Sequence, residues 1–273
     1  MTQGPTRPAR FPVALDRVHG HERPACTDLL RPQGPLQHAA QDAARRSTPS
    51  GLGLDSAAVR ERMVRRLRAE GVHCEPVLQA FARVERHRFV DSALANQAYE
   101  DTSLPIGSSQ TISKPSVVAR MLSLLMESAL ARERGHLGRV LEIGTGCGYQ
   151  AALLCWLART VISIERLKVL HDKARENLAD RQGGQGDLRL VYGDGCLGHA
   201  PRAPYDHIIA AAGGDQVPPA WLDQLAVGGR LVAPLHDAAR GGQVLLVVDR
   251  QPEGLIRQWH DAVHFVPLKS GSA

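Results

Sequence analysis

Apolar residues first recur at helical spacing at Val59, Met63 and Leu67. Asp55 precedes them as an N-cap and Gly71 follows as a stop, so the spacing predicts a helix beginning near residue 55. Pro76 suits the first turn of a second helix carrying Val77, Leu78, Phe81 and Val84 on one face. Residues 98–112 mix Pro105, Gly107 and small polar residues without a period, and predict an irregular loop. A third helix follows Ser113 and turns Val117, Val118, Met121, Leu122 and Leu125 inward.

From residue 139 the pattern changes. Residues 139–143 form a short apolar strand, 144–148 a glycine-rich turn and 149–157 a helix. A second strand over 161–164 ends at Glu165, and a helix over 167–178 follows. Strands over 188–192 and 207–211 come next, then a helix over 219–225 and, after the Gly228-Gly229 turn, a strand over 230–233. This alternation predicts an α/β fold: a Rossmann-like, mostly parallel sheet with helices on both faces and a helical region N-terminal to it. The runs at 244–248 and 262–266 have no helix between them, which predicts antiparallel strands at the C-terminal edge.

The chain divides near residue 50. Residues 1–50 hold seven of the 17 prolines and lack hydrophobic periodicity, so they read as a disordered Pro/Arg-rich extension. A solvated tail and an overlong start-site assignment both fit them. Residues 51–273 read as one domain. Its N-terminal helices and loop span 55–135, the glycine-turn core 136–235 and the C-terminal strands 236–273.

Composition narrows the function classes. The net charge is +5, of which +3 comes from the first fifty residues, leaving only +2 for the rest. With 4% aromatic residues as well, a nucleic-acid-binding surface is not indicated. The five cysteines have no CxxC spacing, so neither a zinc site nor a disulfide framework is indicated, and the expected metal set is empty. Reduced thiols, no apolar run of spanning length and no apolar leader point to a cytoplasmic protein without a membrane partner. A monomer is expected.

Three strand ends carry the candidate chemistry. Gly144, Gly146 and Gly148 follow Glu142 in a GxGxG turn. A dinucleotide fingerprint would place its third glycine where Tyr149 stands. S-adenosylmethionine has no phosphate but carries an amino group and a sulfonium, and the acidic Glu142 suits it better. Glu165, ending the second strand, can accept hydrogen bonds from both ribose hydroxyls. Asp194 and Gly195 end the third strand, where Asp194 meets the adenine amino group or simply stabilises its own turn.

Further motifs extend the pattern: Arg88-Phe89-Val90, Ala98-Tyr99-Glu100-Asp101, Leu104-Pro105-Ile106-Gly107 and Gln110-Thr111-Ile112-Ser113. With Val140 to Gly146, Gly193-Asp194-Gly195, Gly228 to Leu231 and Phe265 to Leu268, they resemble the protein-L-isoaspartate O-methyltransferase family over roughly 55–268. The resemblance implies a class I methyltransferase using S-adenosylmethionine to methylate isoaspartyl residues of damaged proteins. It implies Ser113 as the catalytic serine, with Gln110, Thr111 and Ile112 walling the substrate pocket. Glu142, Gly144, Gly146, Gly148, Glu165, Asp194 and Gly195 would hold the methyl donor. On local sequence alone, Ser113 also fits an N-cap of the helix opened by Lys114-Pro115. Two departures stand out. Val84-Glu85-Arg86 replaces the family's usual Val-Pro-Arg, and Ala211-Ala212 is followed by Gly213-Gly214, which should loosen a loop near the substrate. Rival readings are a class I methyltransferase for another acceptor and a non-catalytic S-adenosylmethionine-binding module.

Overall fold

The computed structural model describes residues 57–179, 184–238 and 241–273. The extension over 1–50 and the Asp55 cap lie outside the described residues. Helix α1 (Ala57–Ala69) buries Met63 and Leu67, and α2 (Glu75–Arg83) buries Val77, Leu78 and Phe81, the faces that the spacing marks. Arg86–Phe89 is not part of α2 but a separate 3-10 turn.

Residues 98–112 are not an irregular loop. Strands β1 (Leu104–Gly107) and β2 (Gln110–Ile112) pair antiparallel, Leu104 opposite Ile112. The connecting Ser108 and Ser109 both sit in the left-handed region, at φ 51° and 55°. Tight hairpin turns of this kind normally advertise themselves by Asn or Gly, and two serines hide the signal. The Gln110 side chain compensates, its Nε2 donating to the carbonyls of Ser108 and Ser109 at 3.2 and 3.1 Å.

Helix α3 (Pro115–Met126) follows the hairpin and α4 (Ala129–Arg134) follows α3. Then come β3 (Arg139–Ile143), α5 (Tyr149–Leu157), β4 (Thr160–Glu165), α6 (Lys168–Ala179), β5 (Asp187–Tyr192) and β6 (Tyr205–Ala210). Helix α7 (Pro219–Gln224) leads to β7 (Leu225–Asp237), β8 (Gly242–Gln251) and β9 (Gly254–Val263). The sheet order is β5-β4-β3-β6-β7-β8-β9. β5, β4, β3, β6 and β7 run parallel, and β8 runs antiparallel to both β7 and β9, as the missing helix predicts. Central strands β3 and β4 are buried along nearly their whole length, which explains why they are mostly apolar, with Glu142 and Ser163 as the buried polar exceptions between their ends.

Two C-terminal strands differ from expectation. β7 begins at Leu225, because Gly228-Gly229 forms a bulge within it rather than the turn before it. β9 runs over Gly254–Val263 instead of 262–266. It is a mostly exposed edge strand, so its Arg257, Gln258, His260 and Asp261 mask the apolar pattern. Gly213 and Gly214 are not loose. They make parallel bridges to Pro267 and Leu235, and Gly213 exchanges hydrogen bonds with Val266 and Leu268 at 2.8 and 2.7 Å. A Cβ at Gly213 would collide with Gln243 Nε2, whose amide holds the backbone of Phe265. The glycine thus serves close packing rather than mobility.

The chain leaves β3 outward through β4 and β5, then returns to β6 on the other side of β3. A ligand crevice is expected outside the carboxyl ends of the strands at such a reversal.

Candidate active site

A cavity of about 310 Å³ opens there. Its floor is the glycine turn, including Gly144, Thr145 and Gly146. The ends of β4, β5 and β6 contribute Glu165, Gly195 and Ala211, and the β1–β2 hairpin and Ser113 cover it. Val266, Pro267 and Leu268 close the remaining side, held by Gly213 and Gln243 as described above.

The turn has its shape because its glycines adopt conformations closed to other residues. Gly146 has φ 55° and Gly148, the N-cap of α5, has φ 93°. A Cβ on Gly148 would also lie 2.8 Å from Leu178 Cδ1. Gly144 N and Thr145 N donate to the Ile164 carbonyl at 2.9 and 3.2 Å, tying the turn to β4. Glu165 completes the tie. One carboxylate oxygen accepts from Gly146 N at 2.8 Å and the other from Leu167 N at 2.9 Å. Each oxygen keeps a further lone pair for a ligand hydroxyl. A vicinal diol fits this donor-free edge, and a phosphate does not.

The expected residues divide into two groups. Ser113, Gln110, Thr111, Ile112, Gly144, Gly146, Glu165 and Gly195 line the cavity together. Glu142, Gly148 and Asp194 are not among its lining. Glu142 is fully buried beneath the turn, where Ser163 Oγ donates to its Oε2 at 2.5 Å and Thr145 Oγ1 lies 2.6 Å from that hydroxyl. Asp194 accepts from Cys196 N at 2.8 Å, stabilising its own turn, and from Gly271 N at 2.6 Å. Ser113 is not an N-cap: Lys114 holds that position, and no side chain caps it. Asp101 serves the helix instead, accepting from Ser116 N and Ser116 Oγ, both at 2.8 Å.

Two buried groups near the sheet centre titrate in opposite senses. Burial pushes the Glu142 carboxyl up to about 8, against the Ser163 and Gln150 groups that favour its charge. Burial pushes His207 down to about 4. Its Nδ1 donates to the Leu137 carbonyl at 2.6 Å, so Nε2 accepts from Ser128 Oγ at 2.6 Å. The unfolded chain takes up the His207 proton near pH 6.5, whereas the folded chain resists it until about 4. His207 therefore costs stability as pH falls from 6.5 toward 4, by up to about 3 kcal/mol. Glu142 costs stability as pH rises from its ordinary 4.5 toward 8, so the two slopes overlap and oppose. Urea unfolding of His207→Gln across pH 4.5–7 should therefore lose the acid-side fall that His207 contributes to the unsubstituted protein. Parallel profiles for the two proteins would contradict a buried neutral imidazole.

The family model described as protein-L-isoaspartate(D-aspartate) O-methyltransferase matches residues 58–273. The chain belongs to this family. A protein-L-isoaspartate O-methyltransferase of Methylibium petroleiphilum is 62% identical, with 97% of this chain and 98% of that one aligned. One of Leptothrix cholodnii is 64% identical over 89% of this chain and 84% of its own. A solved protein-L-isoaspartate O-methyltransferase superposes with TM-score 0.67 at 27% identity, covering 77% of this chain and 66% of that one. A Plasmodium falciparum structure described as the same enzyme, in complex with S-adenosyl-L-homocysteine, has TM-score 0.64 at 23% identity. It covers 76% of this chain and 97% of its own, and it speaks to the fold alone.

Sequence reasoning missed Arg86, Asp101, Tyr149 and the Val266–Lys269 wall. Asp101 and the wall overlap motifs that carry the family resemblance. Arg86 is, with Val84, one of the two residues of the Val-Pro-Arg motif that this chain keeps. Tyr149 likewise belongs to a stretch, Gly148-Tyr149-Gln150, that shares in the family resemblance.

Proposed function

We propose that the chain transfers a methyl group from S-adenosylmethionine to the free carboxylate of L-isoaspartyl residues in damaged proteins, initiating their repair. One observation carries this reading. Gln110 to Ser113, one of the motifs that carry the family resemblance, and the glycine turn line one and the same cavity. When bound, S-adenosylmethionine supplies an electrophilic methyl carbon on a sulfonium that leaves as a neutral thioether. The acceptor carboxylate is already ionised near neutral pH, so no base has to remove a proton. The new bond joins its oxygen to the methyl carbon while the carbon–sulfur pair returns to sulfur.

The residues of the chain have an orienting task. Glu165 would hold the ribose hydroxyls, with Gly144, Gly146 and Gly195 allowing close approach. Glu142, Gly148 and Asp194 would support the donor from behind the cavity wall. Ser113 would donate one hydrogen bond to the acceptor carboxylate and aim its other oxygen at the methyl carbon. Its hydroxyl has no hydrogen-bond partner among the described residues, which leaves it available for this use. Gln110, Thr111 and Ile112 would form the peptide side of the pocket.

We take residues 51–273 as one methyltransferase domain and 1–50 as an extension to it. The family match beginning at residue 58 supports that division. A cytoplasmic monomer acting on isoaspartyl proteins, without nucleic acid or membrane, fits best. The described cysteines carry free thiols, and no described helix is long and apolar enough to cross a membrane. Incubation with S-adenosylmethionine and an isoaspartyl peptide should add one methyl group, read by mass spectrometry. Transfer to RNA or a small molecule but not to the peptide would favour the rival acceptor.

A further inference from the structure

Arg86 lies outside the cavity lining, yet it is fully buried. Its guanidinium donates from Nε to the Ala98 carbonyl at 2.7 Å and from one terminal nitrogen to the Ser113 carbonyl at 2.8 Å. The same nitrogen reaches the Thr102 carbonyl at 3.5 Å. The guanidinium carbon stands 4.8 Å from the centre of the Tyr149 ring, at the start of α5. Among the described residues, no carboxylate comes within ion-pair distance of it. A buried cation held only by carbonyls and one aromatic ring is a costly way to fill a core. What it achieves is geometric. Ala98 precedes the β1–β2 hairpin and Ser113 follows it, so Arg86 staples the two ends of that segment together.

The consequence falls on Ser113. Its hydroxyl has no hydrogen-bond partner among the described residues, so its direction is left to its backbone. On one side that backbone is set by the Ile112–Leu104 pairing. On the other it is set by the bond from Arg86 to the Ser113 carbonyl. We propose that Arg86 is the positioning residue of the acceptor site, fixing the Ser113 hydroxyl through that carbonyl while touching neither donor nor acceptor. Arginine suits the task because its rigid fork meets several carbonyls in fixed directions. A lysine ammonium keeps the charge without the fork.

This inference rests on the proposed function, and a double-variant cycle separates the two. Arg86→Lys, Ser113→Ala and the double variant are compared with the unsubstituted enzyme. The readouts are kcat and KM on an isoaspartyl peptide, and S-adenosylmethionine affinity by calorimetry. Arg86→Lys should lower kcat severalfold, by no more than Ser113→Ala does, and leave donor affinity within about threefold. The double variant should be no slower than Ser113→Ala alone, because the arginine acts through the serine. Multiplying losses in the double variant would overturn the inference, as would loss of donor binding or of folding in Arg86→Lys. An unsubstituted enzyme inactive on the isoaspartyl peptide would instead refute the proposed function itself, and this inference with it.

Discussion

Ser113→Ala should lower kcat on an isoaspartyl peptide by about 10- to 100-fold, with S-adenosylmethionine affinity nearly unchanged. The expectation follows from where the serine sits. It follows β2 and lines the cavity, while the donor-side contacts proposed above would come from the glycine turn and Glu165. Removing the hydroxyl deletes one hydrogen bond to the acceptor and leaves the turn untouched. An interaction made in the transition state is lost, so the change belongs in kcat more than in KM. Full turnover in the variant would show that the carboxylate is aimed by other groups. A large loss of donor affinity would show that Ser113 serves the donor instead.

Glu165→Ala should weaken S-adenosylmethionine binding by about 1.5–3 kcal/mol, roughly 10- to 150-fold in Kd. The side chain has two duties. Its oxygens already hold Gly146 N and Leu167 N, and they face the crevice where a ribose would lie. The alanine variant therefore loses the ligand contact and frees two backbone donors in a site where Glu165 is only 5% exposed. Glu165→Gln retains one acceptor oxygen and should lose less. Calorimetry of the three proteins reads the series directly. Unchanged affinity in Glu165→Ala, or binding of NAD in place of S-adenosylmethionine, would contradict the donor assignment.

The legible parts of this sequence are those governed by local periodicity. β3, the glycine turn and α5 are unmistakable because a strand buried on both faces is mostly apolar, here interrupted by Glu142, and runs straight into three spaced glycines. β9 was hidden because an edge strand facing solvent carries Arg257 and Asp261 where a core strand would carry valine. The hairpin was hidden because Ser108 and Ser109 take left-handed conformations that their identity does not announce.

The same division runs through the site. Glu165, Gly144 and Gly146 are readable because each stands at a strand end and lines the cavity there. The Gly213-Gly214 pair points the wrong way in sequence: its tight fit depends on Gln243, thirty residues further on. Arg86 is not readable as a site residue, since its partners Ala98, Thr102 and Ser113 are backbone carbonyls brought to it only by the fold.

The central claim is that the acceptor is the branch carboxylate of an isomerised aspartate. Isomerisation of Asn or Asp places an extra methylene in the main chain and leaves the α-carboxylate as a side branch. A rigid wall formed by Gln110 to Ser113 should distinguish that branch from an ordinary aspartate side chain, largely regardless of neighbouring residues. The most direct measurement is kcat/KM for two peptides of one sequence, differing only in an L-isoaspartyl or an L-aspartyl residue. The account predicts methylation of the isoaspartyl peptide and none detectable on its aspartyl twin. Equal rates on both would contradict it.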